Sequence, residues 1–453
     1  MTDNIKPAEN SVRISRESTR VRIAVFGHFG GSNLGNDSTL KAILYHLHRM
    51  APDAELSCIC TGPETVTEAY GIRAVPCRSA VIKPRTIQNR ASRWAYRLAV
   101  AVPVEVCRWL KGIKTLWGND ALIIPGTGLL TDAHSLLNWG PYDMFRWSVS
   151  AKVCGCKLFF VSVGAGPVYS RLGRFFIKAA LSMADFRSYR DESTQRCLEE
   201  IGFRDENDKV CPDLAFSLPQ AAMPSGIKSR EGKLVVGLGV MAFAGRYSVE
   251  KLDEFNDRNA TDTIYAAYLD TLAEFTKWLL DRGYDVRLLI GDIVDKDALQ
   301  KFRSLLRERF PTCDEKRVID EPIETVEDLL SQIAATDLVV ATRFHNVLLS
   351  LLLNKPVLSI SFHHKCSSLM SEMGISQYCQ DIEQLKTDKL VGQFRLLEKN
   401  AASLKHMLLE KVSNRRRALD DHFSLIFTGI LPGYLSGLTR VADLRERHVG
   451  ECD

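Results

Sequence analysis

The stretch TDLVVATRFHNVLLSLLLNKPVLSISFHHK, residues 336–365, decides the fold. Its first apolar run predicts a buried strand over 337–341, and a helix that is apolar nearly all round is predicted to follow the polar turn 342–346 and to run to residue 353. The sequence Asn-Lys-Pro at 354–356 ends that helix, and a second strand is predicted over 357–362. One β-α-β unit results, which is the building block of a parallel α/β sheet.

Basic and imidazole side chains follow both predicted strands. Arg343 and His345 follow the first strand, and His363, His364 and Lys365 follow the second. Ligands of open α/β sheets bind at the carboxyl ends of the strands, and a helix N-terminus there offers free backbone N–H groups. The group therefore predicts a pocket for a phosphate or carboxylate. Each residue alone could instead be a solvated turn residue, because charged turn residues usually are.

A glycine-rich loop follows the first predicted strand of the chain. The strand VRIAVF (21–26) enters the loop GHFGGSNLGND (27–37), and a helix is predicted over 38–50. This order is typical of the opening of a Rossmann-like domain. The loop contains neither the G-x-G-x-x-G fingerprint nor a Walker A lysine, so NAD and ATP are not predicted as ligands.

Two more glycine turns and an arginine follow later strands of the same half. The turn PGTG (125–128) ends one apolar strand, GAGP (164–167) ends the strand 157–163, and Arg190 ends the strand-like segment 186–190. Parallel strands end at one edge of a sheet, so these groups are expected to face the same cleft.

A polar stretch, PQAAMPSGIKSREG (219–232), separates two runs of α/β pattern. Two Rossmann-like domains facing each other across a cleft are the GT-B type of architecture, which many sugar transferases share. A long helical segment, about 388–427, is expected to cross back over both domains. The predicted parts are a flexible lead (1–20), an N-terminal acceptor-side domain (21–220), a linker (221–233), a C-terminal donor-side domain (234–386), and C-terminal helices with a tail (387–453).

Composition narrows the class of protein. The 453 residues carry a net charge of only +4, spread along the chain, so a nucleic-acid groove is not predicted. The 12 cysteines lack zinc-type spacing and no metal site is predicted, which favours reduced core thiols in a cytoplasmic protein. Residues 1–20 are polar and lack the apolar core of a signal peptide. The basic segment 83–114, with its two tryptophans, predicts either a helix pair packed on the domain or a peripheral contact with the inner face of a membrane.

Six segments together resemble one known family, the polysaccharide pyruvyl transferases. They occur in the family's order and span most of the chain: GHFGGSNLGNDSTLKAIL (27–44), PGTGLLTD (125–132), SVGAGP (162–167), SYRDESTQRCLEEIG (188–202), CPDLAFSL (211–218) and ATRFHNVLLSLLLNKPVLSISFHHK (341–365). The resemblance implies transfer of a pyruvyl group from phosphoenolpyruvate to two sugar hydroxyls, forming a ketal. The acceptor would be a saccharide or lipid-linked glycan that serves as an exopolysaccharide or cell-surface glycan precursor, and no cofactor is implied.

That chemistry suggests roles for the donor-side residues. Phosphoenolpyruvate brings a phosphate and a carboxylate, which Arg343 and Lys365 would hold while Arg190 reaches across from the first domain, beside the turn at Gly164. His345 would serve as a general acid or as a phosphate ligand, because its charge can change near neutral pH.

On the acceptor side, Asp37 would be the base for a sugar hydroxyl, or else the N-cap of the helix that follows it. His28, Asn33, Asp132 and His134 would line the acceptor site, and each alone could equally be structural.

Two other functions fit the same architecture. One is a GT-B-type glycosyltransferase whose nucleotide-sugar diphosphate would occupy the same helix N-terminus. The other is a non-catalytic carbohydrate-binding relative that keeps the fold.

Overall fold

The computed structural model describes residues 20–77, 97–132, 140–224, 233–242, 258–362 and 364–430. These residues form two parallel β-sheets, one of seven strands and one of six. The predicted lead, most of the linker, residues 83–96 of the basic segment, His134, His363 and the tail beyond 430 lie outside the described residues. None of the helices in the described ranges is long and apolar enough to cross a membrane.

The first sheet has the strand order β3-β2-β1-β4-β5-β6-β7. Its strands are β1 (Arg22–Phe26), β2 (Glu55–Cys60), β3 (Arg73–Pro76), β4 (Ala121–Pro125), β5 (Lys157–Val163), β6 (Phe186–Tyr189) and β7 (Lys209–Val210). Helices cover both faces of this sheet, because Ile23 and Val25 of β1 enter one apolar core while Ala24 and Phe26 enter another. These helices are α1 (Leu34–Met50), α2 (Pro63–Tyr70), α3 (Val102–Leu116), α4 (Pro141–Val153), α5 (Arg171–Ser182) and α6 (Glu192–Glu200).

The second sheet has the strand order β10-β9-β8-β11-β12-β13. Its strands are β8 (Val235–Gly239), β9 (Asp285–Leu289), β10 (Val318–Ile319), β11 (Leu338–Ala341), β12 (Val357–Ser361) and β13 (Cys379–Asp381). Its helices are α7 (Arg258–Asp281), α8 (Asp295–Arg309), α9 (Val326–Ala334), α10 (Phe344–Leu352) and α11 (His364–Glu372). The order of each sheet reverses at its first strand, β1 and β8, which is where open α/β sheets form a ligand crevice.

The decisive stretch folds as β11, α10 and β12. Every residue of both strands is buried, and β12 pairs in parallel with β11. The observed bounds of both strands lie within one residue of the predicted ones, whereas the helix begins at Phe344, inside the predicted turn 342–346. One element was not predicted: His364 and Lys365 begin helix α11 instead of ending a strand in a loop. Lys365 is therefore held in the first turn of a helix.

The C-terminal helices are α12 (Thr387–Lys399) and α13 (Ala401–Ile430). The predicted crossing back is confirmed, because the second half of α13 packs on the first sheet's side of the molecule. There Arg416 donates a hydrogen bond to the Leu218 carbonyl at 2.8 Å, and the Lys157 amine donates to the Gly429 carbonyl at 2.6 Å. Phe423 stacks on His46 of α1, with ring centroids 3.8 Å apart.

Candidate functional site

The N-terminus of α10 lies at the carboxyl edge of β11 and faces the first half of the chain. Arg343 occupies the N-cap position, but its side chain makes no capping hydrogen bond. The first backbone N–H groups of the helix are therefore not satisfied by that side chain. Since the N-terminal end of a helix carries partial positive charge, this point suits an anion.

Arg190 reaches this point from the end of β6. Its Nε donates to Asp191 at 3.3 Å and its Nη1 donates to Asp213 at 3.4 Å. Its guanidinium carbon lies 4.8 Å from the centre of the Phe344 ring, at the start of α10. Its Nη2 is buried and has no hydrogen-bond partner among the described residues. Because a Cβ on Gly164 would lie only 2.8 Å from that nitrogen, only glycine leaves room for the arginine there.

Lys365 lines the same small cavity as Arg190 and Phe344. Its amine lies beside the PGTG turn, where a Cβ on Gly128 would be 2.9 Å from Nζ. Burial lowers the pKa of Lys365 to about 8; Arg190 adds to the shift and Asp191 opposes it. The amine therefore stays mostly protonated at neutral pH, and its pKa is close enough to neutrality for proton transfer.

His345 lies at a close contact between the two halves. A Cβ on Gly35 of α1 would overlap its imidazole, lying 2.5 Å from Cε1 and closer still to Nδ1. The Nε2 atom is buried and has no hydrogen-bond partner within the described part of the chain. Burial lowers the pKa of His345 to about 4, with Asp213 opposing the shift and Arg190 adding to it. The imidazole of the ligand-free protein is therefore neutral at pH 7.

Arg343 turns away from this cavity. Its Nε and Nη2 donate to the two oxygens of Asp295 at 2.9 and 2.6 Å, and Asp295 is fully buried at the start of α8. Asp295 also accepts a hydrogen bond from the Ala242 backbone at 2.8 Å. This bidentate pair fixes the first turn of α10 against the second sheet. The structure thus gives Arg343 a positioning contact, and its predicted contact with a donor stays a prediction.

Asp37 lies inside the first turn of α1, which begins four residues earlier than predicted. The N-cap is Asn33, which accepts a hydrogen bond from the Asn36 backbone at 3.1 Å, so capping by Asp37 is wrong. The Asp37 carboxylate accepts a hydrogen bond from the Gly30 backbone at 2.8 Å. Burial raises the pKa of Asp37 to about 6, with the Gly30 hydrogen bond opposing the shift and the nearby Asp292 adding to it. A carboxylate with this pKa can accept a proton near neutral pH.

The first glycine loop is fastened to the second half beside Asp37. The Ile293 backbone donates to the Ser32 carbonyl at 2.8 Å, and the Leu34 backbone donates to the Gly291 carbonyl at 3.2 Å. The side chain of Asn33 donates to Asp292 at 3.1 Å. Asn33, predicted to line the acceptor site, therefore caps a helix and bridges the two halves.

The other two predicted acceptor residues within the described ranges are His28 and Asp132. His28 is half-buried just after β1. The Asp132 carboxylate accepts hydrogen bonds from the backbones of Tyr169 and Ser170, both at 2.8 Å, and from the Ser170 hydroxyl at 2.6 Å. These bonds tie Asp132 to the N-terminus of α5. Contact with an acceptor remains a prediction for both residues.

Three polar residues at the site were not predicted. Asp213 is buried and holds Arg190, as described above. Asn346 in the first turn of α10 is fully buried, and neither its amide oxygen nor its amide nitrogen has a partner among the described residues. The same is true of the buried Thr127 hydroxyl in the PGTG turn. A buried polar atom without a hydrogen-bond partner costs free energy, so each of these groups suits a polar ligand atom or a water molecule beside it. The only sequence signal for these residues was their position: Thr127 lies in the PGTG turn, Asp213 in the CPD segment, and Asn346 in the polar turn 342–346.

A larger cleft of about 470 Å³ opens next to Arg190, between α6, α11 and α13. Its volume suits a small ligand or one sugar unit. The polar groups on its wall include Arg190, Ser193, Arg196, Ser368, Ser371 and Arg415.

Comparisons with known proteins bear on the family and on the fold. The family described as polysaccharide pyruvyl transferase matches residues 33–364. The amylovoran biosynthesis protein AmsJ of Erwinia amylovora is 21% identical over 420 residues, which cover 87% of this chain and 96% of that protein.

Solved structures support the fold. The UDP-GlcNAc 2-epimerase of Methanocaldococcus jannaschii aligns with a TM-score of 0.53 at 11% identity, over 83% of this chain and 92% of that one. A glycosyltransferase of Rickettsia africae aligns with a TM-score of 0.53 at 11% identity, over 92% of this chain and all of that one. These similarities confirm the predicted GT-B-like architecture.

Proposed function

Because the chain belongs to the polysaccharide pyruvyl transferase family, we propose that it moves a pyruvyl group from phosphoenolpyruvate to two hydroxyls of a saccharide acceptor. The product is a cyclic ketal, and inorganic phosphate is released. No cofactor takes part. The observation that carries the proposal is the meeting of Arg190 and Lys365 at the α10 N-terminus, in a small cavity beside the larger cleft that Arg190 also lines. The buried Nε2 atom of His345, which lacks a partner among the described residues, belongs to the same electrostatic cluster.

The donor fits the charge of this cavity. Phosphoenolpyruvate carries a phosphate and a carboxylate, which match a guanidinium, an ammonium group and helix N–H groups. The acids Asp191 and Asp213 bind Arg190 only through long hydrogen bonds of 3.3 and 3.4 Å, which leaves the Nη2 edge of the guanidinium for a ligand. Arg343 is proposed to act on the donor through the placement of α10, which its pair with Asp295 fixes.

The reaction begins with proton transfer to C3 of the enol, which makes C2 electrophilic. An acceptor hydroxyl then attacks C2 and gives its proton to a base, and the C2–O bond to phosphate breaks with the electron pair leaving on phosphate. The second hydroxyl attacks C2 to close the ring, and its proton leaves with a base or with phosphate. C3 gains one proton and the two hydroxyls lose one each, so the remaining proton leaves with inorganic phosphate.

Lys365 and His345 are the two groups proposed to give the C3 proton. In the ligand-free protein Lys365 carries its proton at neutral pH and His345 does not, for the reasons of burial and charge given above. A bound dianion favours the protonated form of both groups. Asp37, with its raised pKa, is the proposed base for an acceptor hydroxyl, at the junction of the two halves.

The acceptor is proposed to be a sugar unit of an exopolysaccharide or cell-surface glycan precursor, which the name of the relative from Erwinia amylovora supports. A precursor on a lipid carrier would place the protein in the cytoplasm at the inner face of the membrane. The acceptor side is proposed to include His28, Asn33 and Asp132, with His134 outside the described residues.

Donor binding and turnover provide the test. Purified protein is heated with phosphoenolpyruvate and, separately, with UDP-sugars, and the shift in melting temperature is recorded. We expect stabilisation by phosphoenolpyruvate that Arg190→Gln and His345→Ala reduce, with each variant measured against its own ligand-free melting temperature, because Arg190→Gln also leaves Asp191 and Asp213 without their buried cation. Stabilisation by a UDP-sugar alone would replace the proposal with a glycosyltransferase. Donor binding without phosphate release in the presence of any glycan acceptor would indicate a non-catalytic relative.

A further inference from the structure

Three helices of the first half share an exposed aromatic surface. The ring of Trp109 on α3 lies 6.3 Å from that of Phe145 on α4, and Phe145 lies 6.1 Å from Phe175 on α5. Phe176 packs beside both phenylalanines, with ring centroids 5.2 and 5.5 Å away. Phe175 is 58% exposed. The four rings therefore form one contact cluster in which Phe175 is exposed and the other three rings are half-buried, and we call its outer side the aromatic face.

Aliphatic side chains extend the aromatic face on both sides. Val106 and Leu110 lie one helical turn apart on α3 and are 52% and 60% exposed. Leu172 lies one turn before Phe175 on α5 and is 57% exposed. Contiguous exposed apolar surface of this kind marks an interaction site in proteins that are otherwise monomeric.

The charges around the aromatic face are positive. Helix α5 carries Arg171, Arg174 and Lys178 and no acidic residue. Arg171 and Arg174 are exposed, and no ion pair involves either one in the part of the chain that the structure describes. On α3, Glu105 is already paired with Arg108 and accepts a hydrogen bond from Tyr142. Apolar rings with basic neighbours are the composition of a surface that rests on anionic lipids.

The aromatic face also borders the proposed acceptor side. The N-terminus of α5, which carries Leu172 and Phe175 in its first two turns, is held by Asp132 just beyond the end of β4. That is the edge of the sheet where ligands of an α/β domain bind. We infer that the aromatic face docks on an anionic bilayer surface and so places the cleft mouth next to the head group of a membrane-borne glycan acceptor. The acceptor part of this inference rests on the proposed function, whereas the docking does not.

Vesicle sedimentation of the full chain tests the docking. The probes are vesicles of equal parts phosphatidylglycerol and phosphatidylcholine, and vesicles of phosphatidylcholine alone. We expect binding to the anionic vesicles that weakens as salt rises, and a loss of at least about tenfold in Leu172→Ser/Phe175→Ser, because two large apolar side chains leave the interface. Arg171→Glu/Arg174→Glu should remove the preference for anionic lipid. Leu409→Ser is the matched control, since Leu409 is 56% exposed on α13, away from these helices.

Equal binding by wild type and Leu172→Ser/Phe175→Ser would overturn the inference, as would no binding at all. A wild-type dimer in light scattering that this double variant converts to monomer would overturn it too, by assigning the face to a second copy of the chain. The phosphoenolpyruvate-induced thermal shift of the double variant should equal that of wild type. If phosphoenolpyruvate stabilises the wild type but vesicle binding fails, the docking is refuted and the proposed function is not. If phosphoenolpyruvate does not stabilise the wild type but vesicles bind, only the proposed function is refuted.

Discussion

Gly35→Ala is the substitution that best tests how the two halves build the site. Gly35 lies in the first turn of α1, where alanine is by itself the better helix former by about 1 kcal/mol. The added Cβ would nevertheless lie 2.5 Å from Cε1 of His345, which is 0.9 Å short of an ordinary 3.4 Å contact, and Nδ1 would be nearer still. The His345 ring is half-buried with its Nε2 atom buried, so the ring and α1 must move apart by about 1 Å or more.

The expected effect is on function more than on stability. A displacement of about 1 Å at a reacting centre typically lowers the rate by about 100-fold. We therefore expect kcat/KM for phosphate release from phosphoenolpyruvate to fall by about 100-fold or more, with a change in melting temperature of only a few degrees.

Gly392→Ala is the matched control for Gly35→Ala. It lies inside α12, where an added Cβ meets no atom within 4 Å. This variant should keep full activity and gain a little stability. Wild-type activity in Gly35→Ala would refute the reasoning, because it would show that the close approach of α1 to His345 is not required. Equal losses in both glycine variants would refute it as well.

The remaining predictions concern charge. Asp295→Asn should lower the free energy of unfolding by about 3 to 5 kcal/mol in urea unfolding, since it removes the charge that balances buried Arg343. Asp270→Asn is the control: it breaks an exposed pair with Arg309 and should cost under about 1 kcal/mol. Asp213→Asn should lower the pKa of Lys365 by removing a negative neighbour, so the basic limb of the pH–rate profile should move to lower pH; an unmoved limb would exclude Lys365 as its origin. Burial lowers the pKa of His46, His345 and His422 to about 4, below the ordinary value in an unfolded chain. The unfolded chain therefore binds more protons between these pKa values. The free energy of unfolding should fall as pH drops from about 6.5 to 4, by up to about 3 kcal/mol for each histidine. The raised pKa of Asp37 acts in the opposite direction over part of this window. His46→Phe should flatten the slope, since both ring nitrogens of His46 lack partners in the described structure, and an unchanged slope would contradict the assignment.

The sequence predicted the β-α-β unit of residues 336–365 closely because burial leaves little freedom there. Both strands are buried on each face and therefore read as continuous apolar runs. The start of α1 was placed too late because Gly35 and Asn36 are weak helix formers. The structure supplies the reason for the exception: a side chain larger than glycine at 35 would collide with His345, more than 300 residues away. Helix propensity depends on neighbouring residues only and therefore carries no information about such a contact.

The convergence of cations could be anticipated, but the direction of each side chain could not. That Arg343 follows a strand end is visible in the sequence, whereas its bidentate contact with Asp295 depends on how α8 sits beside α10. Helix α11 was missed because its sequence HKCSSLMSE has few apolar residues in a helical period. Asn346 was not predicted as a site residue because the sequence alone does not distinguish a buried amide side chain from a solvated one.

The path of α13 limits where this chain can be divided to make a chimaeric protein. Its 30 residues extend about 45 Å at the usual helical rise, and the rings of its later turns complete the core around α1 and the first sheet. Helix α13, which is synthesised after both sheets, is thus a structural part of the half that is synthesised first. A hybrid enzyme made by joining halves of two relatives should therefore take residues 416–430 from the parent that supplies β1 to β7, since a simple exchange at the midpoint leaves Phe423 and Phe427 facing a foreign core.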